Sequence, residues 1–195
     1  MTLALRQGMN ISRLRHPAFV VALSVLSIGA SGATSPIDVA VERGPGSAYV
    51  VEAAFEVNAA PSISWEVLTD YEGIGRFVSS IRQSTIKSRE PGRVLLEQHG
   101  VGRAWIISLP MHVVLEVREN NNRILAFHDI CGKSFSVYEG TWELSAINGG
   151  TRVTYRLKAD PTGRQPAMLA RSAIRGSVKK LLDEVRQEML TRAAR

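Results

Sequence analysis

Between Ile81 and Ala159 the chain turns back so often that few folds remain open to it. Apolar–polar alternation is interrupted at Glu90-Pro91-Gly92, at Glu119-Asn120-Asn121-Asn122 and at Asn148-Gly149-Gly150. Alternation marks strands with one buried face, and clusters of Gly, Pro and Asn mark the turns between them. Parallel crossovers need a dozen or more residues, so links this short make an antiparallel meander. The expected strands are 81–88, 93–99, 104–118, 124–130, 135–146 and 151–159. Pro110 marks an edge or bulge in the third of these, or divides it into two.

One more strand comes first: Tyr49, Val51, Ala53, Phe55 and Val57 point one way, and Glu52, Glu56 and Asn58 the other. Asn58-Ala59-Ala60-Pro61-Ser62 stops it and opens a helix whose apolar contacts are Trp65, Val67, Leu68 and Tyr71. Glu72-Gly73-Ile74-Gly75 breaks that helix, and Arg76-Phe77-Val78 begins a second short one. After the meander, residues 165–195 carry Ile174, Val178, Leu181, Leu182, Val185 and Met189 at three- and four-residue spacing, a single apolar stripe. Fully helical, such an element is about 40 Å long. Only the sheet can bury its stripe. The pattern is therefore α+β: about six or seven antiparallel strands, two short helices after the first, and a long C-terminal helix.

The N-terminus reads as an address. Residues 1–16 hold Arg6, Arg13 and Arg15 without an acid, the run Ala18–Ile28 is apolar, and Gly29-Ala30-Ser31-Gly32-Ala33 is small throughout. Those three parts in that order make a secretory signal, with cleavage expected after Ala33. The apolar run is short of the roughly 20 residues that a membrane span needs. An uncleaved N-terminal anchor is the alternative. Residues 34–47, rich in Gly, Pro and Ser, read as a linker, and the domain as 48–193. The lone Cys131 excludes an internal disulfide framework and a cysteine-built zinc site, and suits an oxidising compartment. The net charge of +6 falls to +3 without the three leader arginines, and aromatic residues are not interleaved with the basic ones. Nothing here points to nucleic acid.

The segments Phe55-Glu56-Val57-Asn58-Ala59-Ala60-Pro61, Trp65-Glu66-Val67-Leu68-Thr69-Asp70-Tyr71 and Arg76-Phe77-Val78 carry a resemblance. So do Tyr138-Glu139-Gly140-Thr141-Trp142-Glu143-Leu144 and Gly150-Thr151-Arg152-Val153-Thr154-Tyr155. With the element order, the chain resembles the START and birch-pollen-allergen superfamily, and more narrowly its polyketide cyclase/dehydrase and coenzyme Q-binding branch. The resemblance spans roughly 48–191. It implies the helix-grip fold, a curved antiparallel sheet wrapped on the C-terminal helix with an apolar cavity between them.

Strand parity names candidate lining residues. Tyr138, Gly140, Trp142 and Leu144 share one face, as do Val153, Tyr155 and Leu157 on the next strand; their neighbours Glu139, Glu143, Arg152 and Arg156 should face water. Met111, Val113 and Leu115 form a comparable row, Trp105 lies near the expected mouth, and Ile174 and Val178 face the sheet from the helix. His128 shares parity with Ile124, Ala126 and Ile130, which makes it a candidate polar group in the cavity. Adjacent His128 and Asp129 point to opposite faces of a strand, so they cannot act on one atom together.

Catalytic signatures are sparse. Outside the leader, His99, His112 and His128 have no histidine or acid at helical i+4 spacing, so no metal site and no cofactor is expected. Gly100-Val101-Gly102 reads as a turn or bulge, since no helix follows to bind phosphate. The expected function is an exported binder of an apolar small molecule: a lipid, an isoprenoid quinone or a polyketide-like ring. Arg171, Arg175, Lys179 and Arg186 along the last helix are a candidate contact for an anionic membrane surface. The rival is a cyclase or dehydratase in which His128, Tyr138 or Tyr155 moves protons. A toxin-like interaction protein is the third reading, and the export signal conflicts with it.

Overall fold

A computed structural model describes residues 36–104, 107–162 and 167–195, with the side chains of 103–109 and 163–169 left aside. The leader and Trp105 lie outside the described residues. Eight strands form one antiparallel, curved, open sheet in the order β1-β2-β8-β7-β6-β5-β4-β3. They are β1 (Asp38–Arg43), β2 (Tyr49–Val57), β3 (Ile81–Glu90), β4 (Arg93–Ala104), β5 (Ile107–Asn120), β6 (Ile124–Asp129), β7 (Phe135–Ile147) and β8 (Gly150–Pro161). Between β2 and β3 lie helix α1 (Pro61–Leu68) and a single 3-10 turn (Ile74–Arg76); helix α2 (Ala167–Ala193) closes the fold. This is the helix grip, with one strand more than expected. Among the described residues no helix is long and apolar enough to cross a membrane.

The additional strand corrects the linker. β1 lies inside 34–47 and pairs with β2, Val41 opposite Val51. Its alternation is real: Ile37, Val39 and Val41 are buried and Asp38 and Ala40 exposed. Pro36 and the Gly44-Pro45-Gly46-Ser47 turn around so short a run gave the segment its linker composition. The second short helix is likewise only one 3-10 turn. Gly100 to Gly102 sit inside β4 rather than in a turn. Gly100 is needed there because a Cβ would lie 2.3 Å from the Ser80 carbonyl oxygen, where the crossover segment passes over β4. Pro110 stays within β5, where β4 pairs on one side and β6 reaches only Leu115 to Asn120 on the other.

The turns follow their chemistry. Asn121 and Asn122 both have φ 53°, which Asn tolerates, and Gly92 and Gly149 take φ 72° and 83° in the neighbouring hairpins. Pro61, with its φ already helical, starts α1. Thr151, wholly buried, donates its hydroxyl to the Ala59 carbonyl at 2.7 Å and ties β8 to the entry of α1.

One face of the sheet is apolar and the other is a lattice of ion pairs. On the outer face Glu116 is clamped by Arg93 at 2.6 Å and Arg118 at 2.9 Å, and Arg152 meets Glu56 at 2.7 Å. The arginines of these pairs stay in water, and such pairs contribute about 1 kcal/mol each or less, so the inner face carries the stability. There α2 packs on β1, β2, β4 and α1. Val178, Leu182, Val185 and Met189 are its buried stripe.

Gly140 shows how tightly the inner face is packed. A Cβ on it would stand 2.4 Å from the Arg156 carbonyl oxygen and 2.7 Å from Cζ of Phe127. Since the first is backbone and cannot swing away, Gly140→Ala should cost about 1–3 kcal/mol. Gly176→Ala is the control: that helical site has open space around it, so the change should stabilise by about 0.5–1 kcal/mol. Urea denaturation of the two variants checks both signs.

Candidate ligand-binding cavity

The inner face of the sheet, α1, the 3-10 turn and α2 line a half-open cavity of about 100 Å³. β4 to β8 supply Leu96 and Gln98, Leu115 and Val117, Leu125 and Phe127, Tyr138 and Trp142, and Tyr155. Tyr71, Ile74 and Phe77 close it from the crossover, and Leu181 and Val185 from α2. The register explains the aromatic wall: Trp142 stands opposite both Leu125 and Tyr155, so all three face inward together. The rings of Trp142 and Tyr155 lie 4.4 Å apart, those of Phe135 and Tyr138 4.5 Å, and those of Phe127 and Tyr138 5.7 Å.

The polar groups in this wall are neutral. Tyr138 and Tyr155 both line it, and burial raises both phenols, Tyr138 to about 12 and Tyr155 further. Neither is a phenolate at neutral pH, so each can donate a hydrogen bond to a ligand but cannot abstract a proton. Tyr71 donates to Glu119 at 2.7 Å beneath the Arg89 guanidinium; burial, then the Glu119 carboxylate, push its pKa up as well. Gln98, 6% exposed, gives its amide N–H to the Ser84 hydroxyl at 3.2 Å.

The structure brings together Leu115, Tyr138, Trp142 and Tyr155 of the sequence-derived set. Val113 and Val178 fill the core, and half-buried Met111 and Ile174 pack against it. His128 must be corrected. It is exposed, in an open depression on the outer face with Arg118, Glu139 and Thr141. Its parity with Ile124 and Ile130 holds, but those two are 38% and 53% exposed: Leu125 and Phe127 are the inward pair of β6. Asp129 is occupied too, accepting the backbone N–H groups of Val114, Cys131 and Gly132. His128 therefore has no place in cavity chemistry.

Sequence reasoning missed Gln98, although its parity with Val94 and Leu96 marked it as inward. It also missed a cluster on the outer face. β4–β5 register sets His99 directly opposite His112, and Glu97 joins them, so that all three ligand atoms lie within 4.8 Å of one another. A search at helical spacing cannot find ligands that a sheet assembles across strands.

The crossover is fastened to α2 above the cavity. Arg192 meets Asp70 at 2.6 Å, Arg76 meets it at 3.0 Å, and Glu184 accepts the Ser79 N–H at 3.1 Å. Burial opposes ionisation of Asp70, but the Arg192 hydrogen bond and charge outweigh it, and its pKa is lowered. A depressed carboxylate stabilises the fold above its unfolded pKa, about 3.9, and that share is lost as pH falls through the lower folded value. Asp70→Asn should therefore cost on the order of 1–2 kcal/mol at pH 7. The difference from wild type should shrink as pH falls from 7 to below the unfolded pKa. Chemical denaturation at both ends of that range checks it.

Comparison with known proteins agrees with this geometry. A STAR-related lipid transfer protein from Xanthomonas axonopodis is 19% identical, superposes with a TM-score of 0.67, and shares 78% of this chain and 93% of its own. The ZhuI aromatase/cyclase from Streptomyces sp. R1128 is 15% identical, with TM-score 0.62 over 76% of this chain and 94% of its own. Human STARD10 is 12% identical, with TM-score 0.61 over 78% and 73%. No curated protein sequence matches. At these identities the structural matches establish the fold. The family profile described as polyketide cyclase / dehydrase and lipid transport matches residues 49–189, and the chain belongs to that family.

Proposed function

We propose that this protein is an exported binder or carrier of an apolar small molecule, a lipid, isoprenoid quinone or polyketide-like ring, held between the sheet and α2. One observation carries the reading: among the described residues, the cavity wall has aromatic and aliphatic side chains with a few neutral polar groups, and no acid, base or histidine. Such a wall binds by contact area and orients through one or two hydrogen bonds. The cavity volume, about 100 Å³, is below the roughly 300–1,000 Å³ range of ligand pockets, so uptake requires the cavity to widen. The side that yields is the one outside the sheet's hydrogen-bond ladder: Leu181 and Val185 of α2, with Ile74 and Phe77. Arg171 and Arg175 on the exposed flank of α2 would add up to about 1 kcal/mol each toward an anionic membrane during transfer.

The cyclase reading rests on the Tyr138–Tyr155 pair, which could polarise a ketide carbonyl by hydrogen-bond donation. Native mass spectrometry of protein purified from the cell envelope separates the two. A retained apolar molecule supports the carrier; an empty protein that turns over an aromatic ketide supports the enzyme. Export rests on the basic, apolar and small-residue order of the leader. The mature chain should begin near Thr34 by N-terminal sequencing, and a membrane-bound chain retaining Arg6 to Ile28 would refute cleavage.

A further inference from the structure

We infer that Glu97, His99 and His112 form a binding site for a divalent transition-metal ion of the zinc type on the outer face of the β4–β5 hairpin. The two imidazoles stack across the strand pair with centroids 4.2 Å apart and planes inclined by 17°. Glu97 Oε1 lies 2.9 Å from Nε2 of His112 and 3.6 Å from Nε2 of His99. Ligand atoms around a tetrahedral ion at about 2.0–2.1 Å stand roughly 3.3 Å from one another, and the two separations from Glu97 bracket that value. Two imidazoles and a carboxylate leave a fourth position for water, and the half-exposed His99 keeps that side open.

The sheet supplies the preorganisation. His99 and His112 are fixed opposite each other by register, and Glu97 follows two residues before His99 on the same face. The His112 backbone N–H donates to the Ser134 hydroxyl at 2.9 Å, which holds its strand against the loop before β7. Only the rings must splay, so that their in-plane lone pairs converge on the ion. Lys87 opposes binding: its ammonium sits 3.1 Å from Oε2 of Glu97, leaving Oε1 for the metal but adding a positive charge nearby. Two imidazoles suit zinc, copper, nickel and cobalt, whereas calcium and magnesium take oxygen ligands. The ion would cross-link β4 and β5 on the face opposite the cavity, where Gln98 points inward between Glu97 and His99.

The test is calorimetric titration of the metal-free full chain with Zn²⁺ at neutral pH. The site predicts one ion per chain, a Tm that rises with Zn²⁺ concentration, and d–d absorption of a four-coordinate ion when Co²⁺ replaces zinc. His99→Ala and His112→Ala should each weaken binding by more than the roughly 10–100-fold that loss of a mere supporting partner costs. Glu97→Gln should weaken it less, Lys87→Met should tighten it, and His128→Ala, an exposed histidine elsewhere on the outer face, should leave it unchanged. Circular dichroism verifies that each variant is folded, which exposed His99 makes secure for His99→Ala. Absence of stoichiometric binding, or zinc affinity that survives in a folded His99→Ala/His112→Ala chain, overturns the site.

Discussion

Removing residues 167–195 should abolish cooperative thermal unfolding of the domain. Leu182 and Met189 are fully buried, Val185 is 2% exposed and Val178 5%. Truncating one buried Leu typically costs about 2–5 kcal/mol, and a domain holds only about 5–15 kcal/mol in total. Losing four such residues, and exposing the inner faces of β1, β2 and β4 with them, exceeds that margin. Leu182→Ala alone should lower stability by about 2–5 kcal/mol and leave a folded protein. A chain ending before α2 that still melts cooperatively at an unchanged temperature would disprove the grip.

Trp142→Ala should weaken binding of a fluorescent apolar probe, whereas Glu143→Gln should not. The two are neighbours on β7 and point to opposite faces. Trp142 lies in the cavity wall against Tyr155, while Glu143 sits on the outer face with Arg156 at 3.6 Å. Because Trp142 is also core, its loss should cost about 3–5 kcal/mol of stability. The binding comparison therefore counts only where circular dichroism shows the variant folded. Normal affinity in a folded Trp142→Ala protein removes this wall from the site. Sensitivity at Glu143 instead would mean that the ligand lies on the outer face.

The architecture was legible because each element advertised its own period. Two-residue alternation from Tyr138 to Leu144 and three- and four-residue spacing from Val178 to Met189 name surfaces that line one cavity, Tyr138 and Trp142 from the sheet and Leu181 and Val185 from the helix. β1 was not legible, because three apolar residues flanked by Gly, Pro and Ser carry too little pattern without knowing that β2 has a free edge. His128 was placed inside for a related reason. On and just after β6 both faces carry apolar residues, Ile124 and Ile130 outward against Leu125 and Phe127 inward, and only pairing with Trp142 and Gly140 decides between them. Glu97, His99 and His112 depend wholly on register, a property of two strands and not of either one. The cavity's volume is a further step away, since periodicity locates an inner face but cannot reveal the gap left between side chains.

Photo-crosslinking with a diazirine-bearing fatty acid, followed by peptide mapping of the full-length protein, tests the central claim most directly. The account predicts label on the β7 and β8 peptides holding Trp142 and Tyr155 and on the α2 peptide holding Leu181 and Val185, with unlabelled fatty acid competing it away. Label confined to the outer-face depression around His128, Glu139 and Thr141, or label that competitor does not displace, would contradict it.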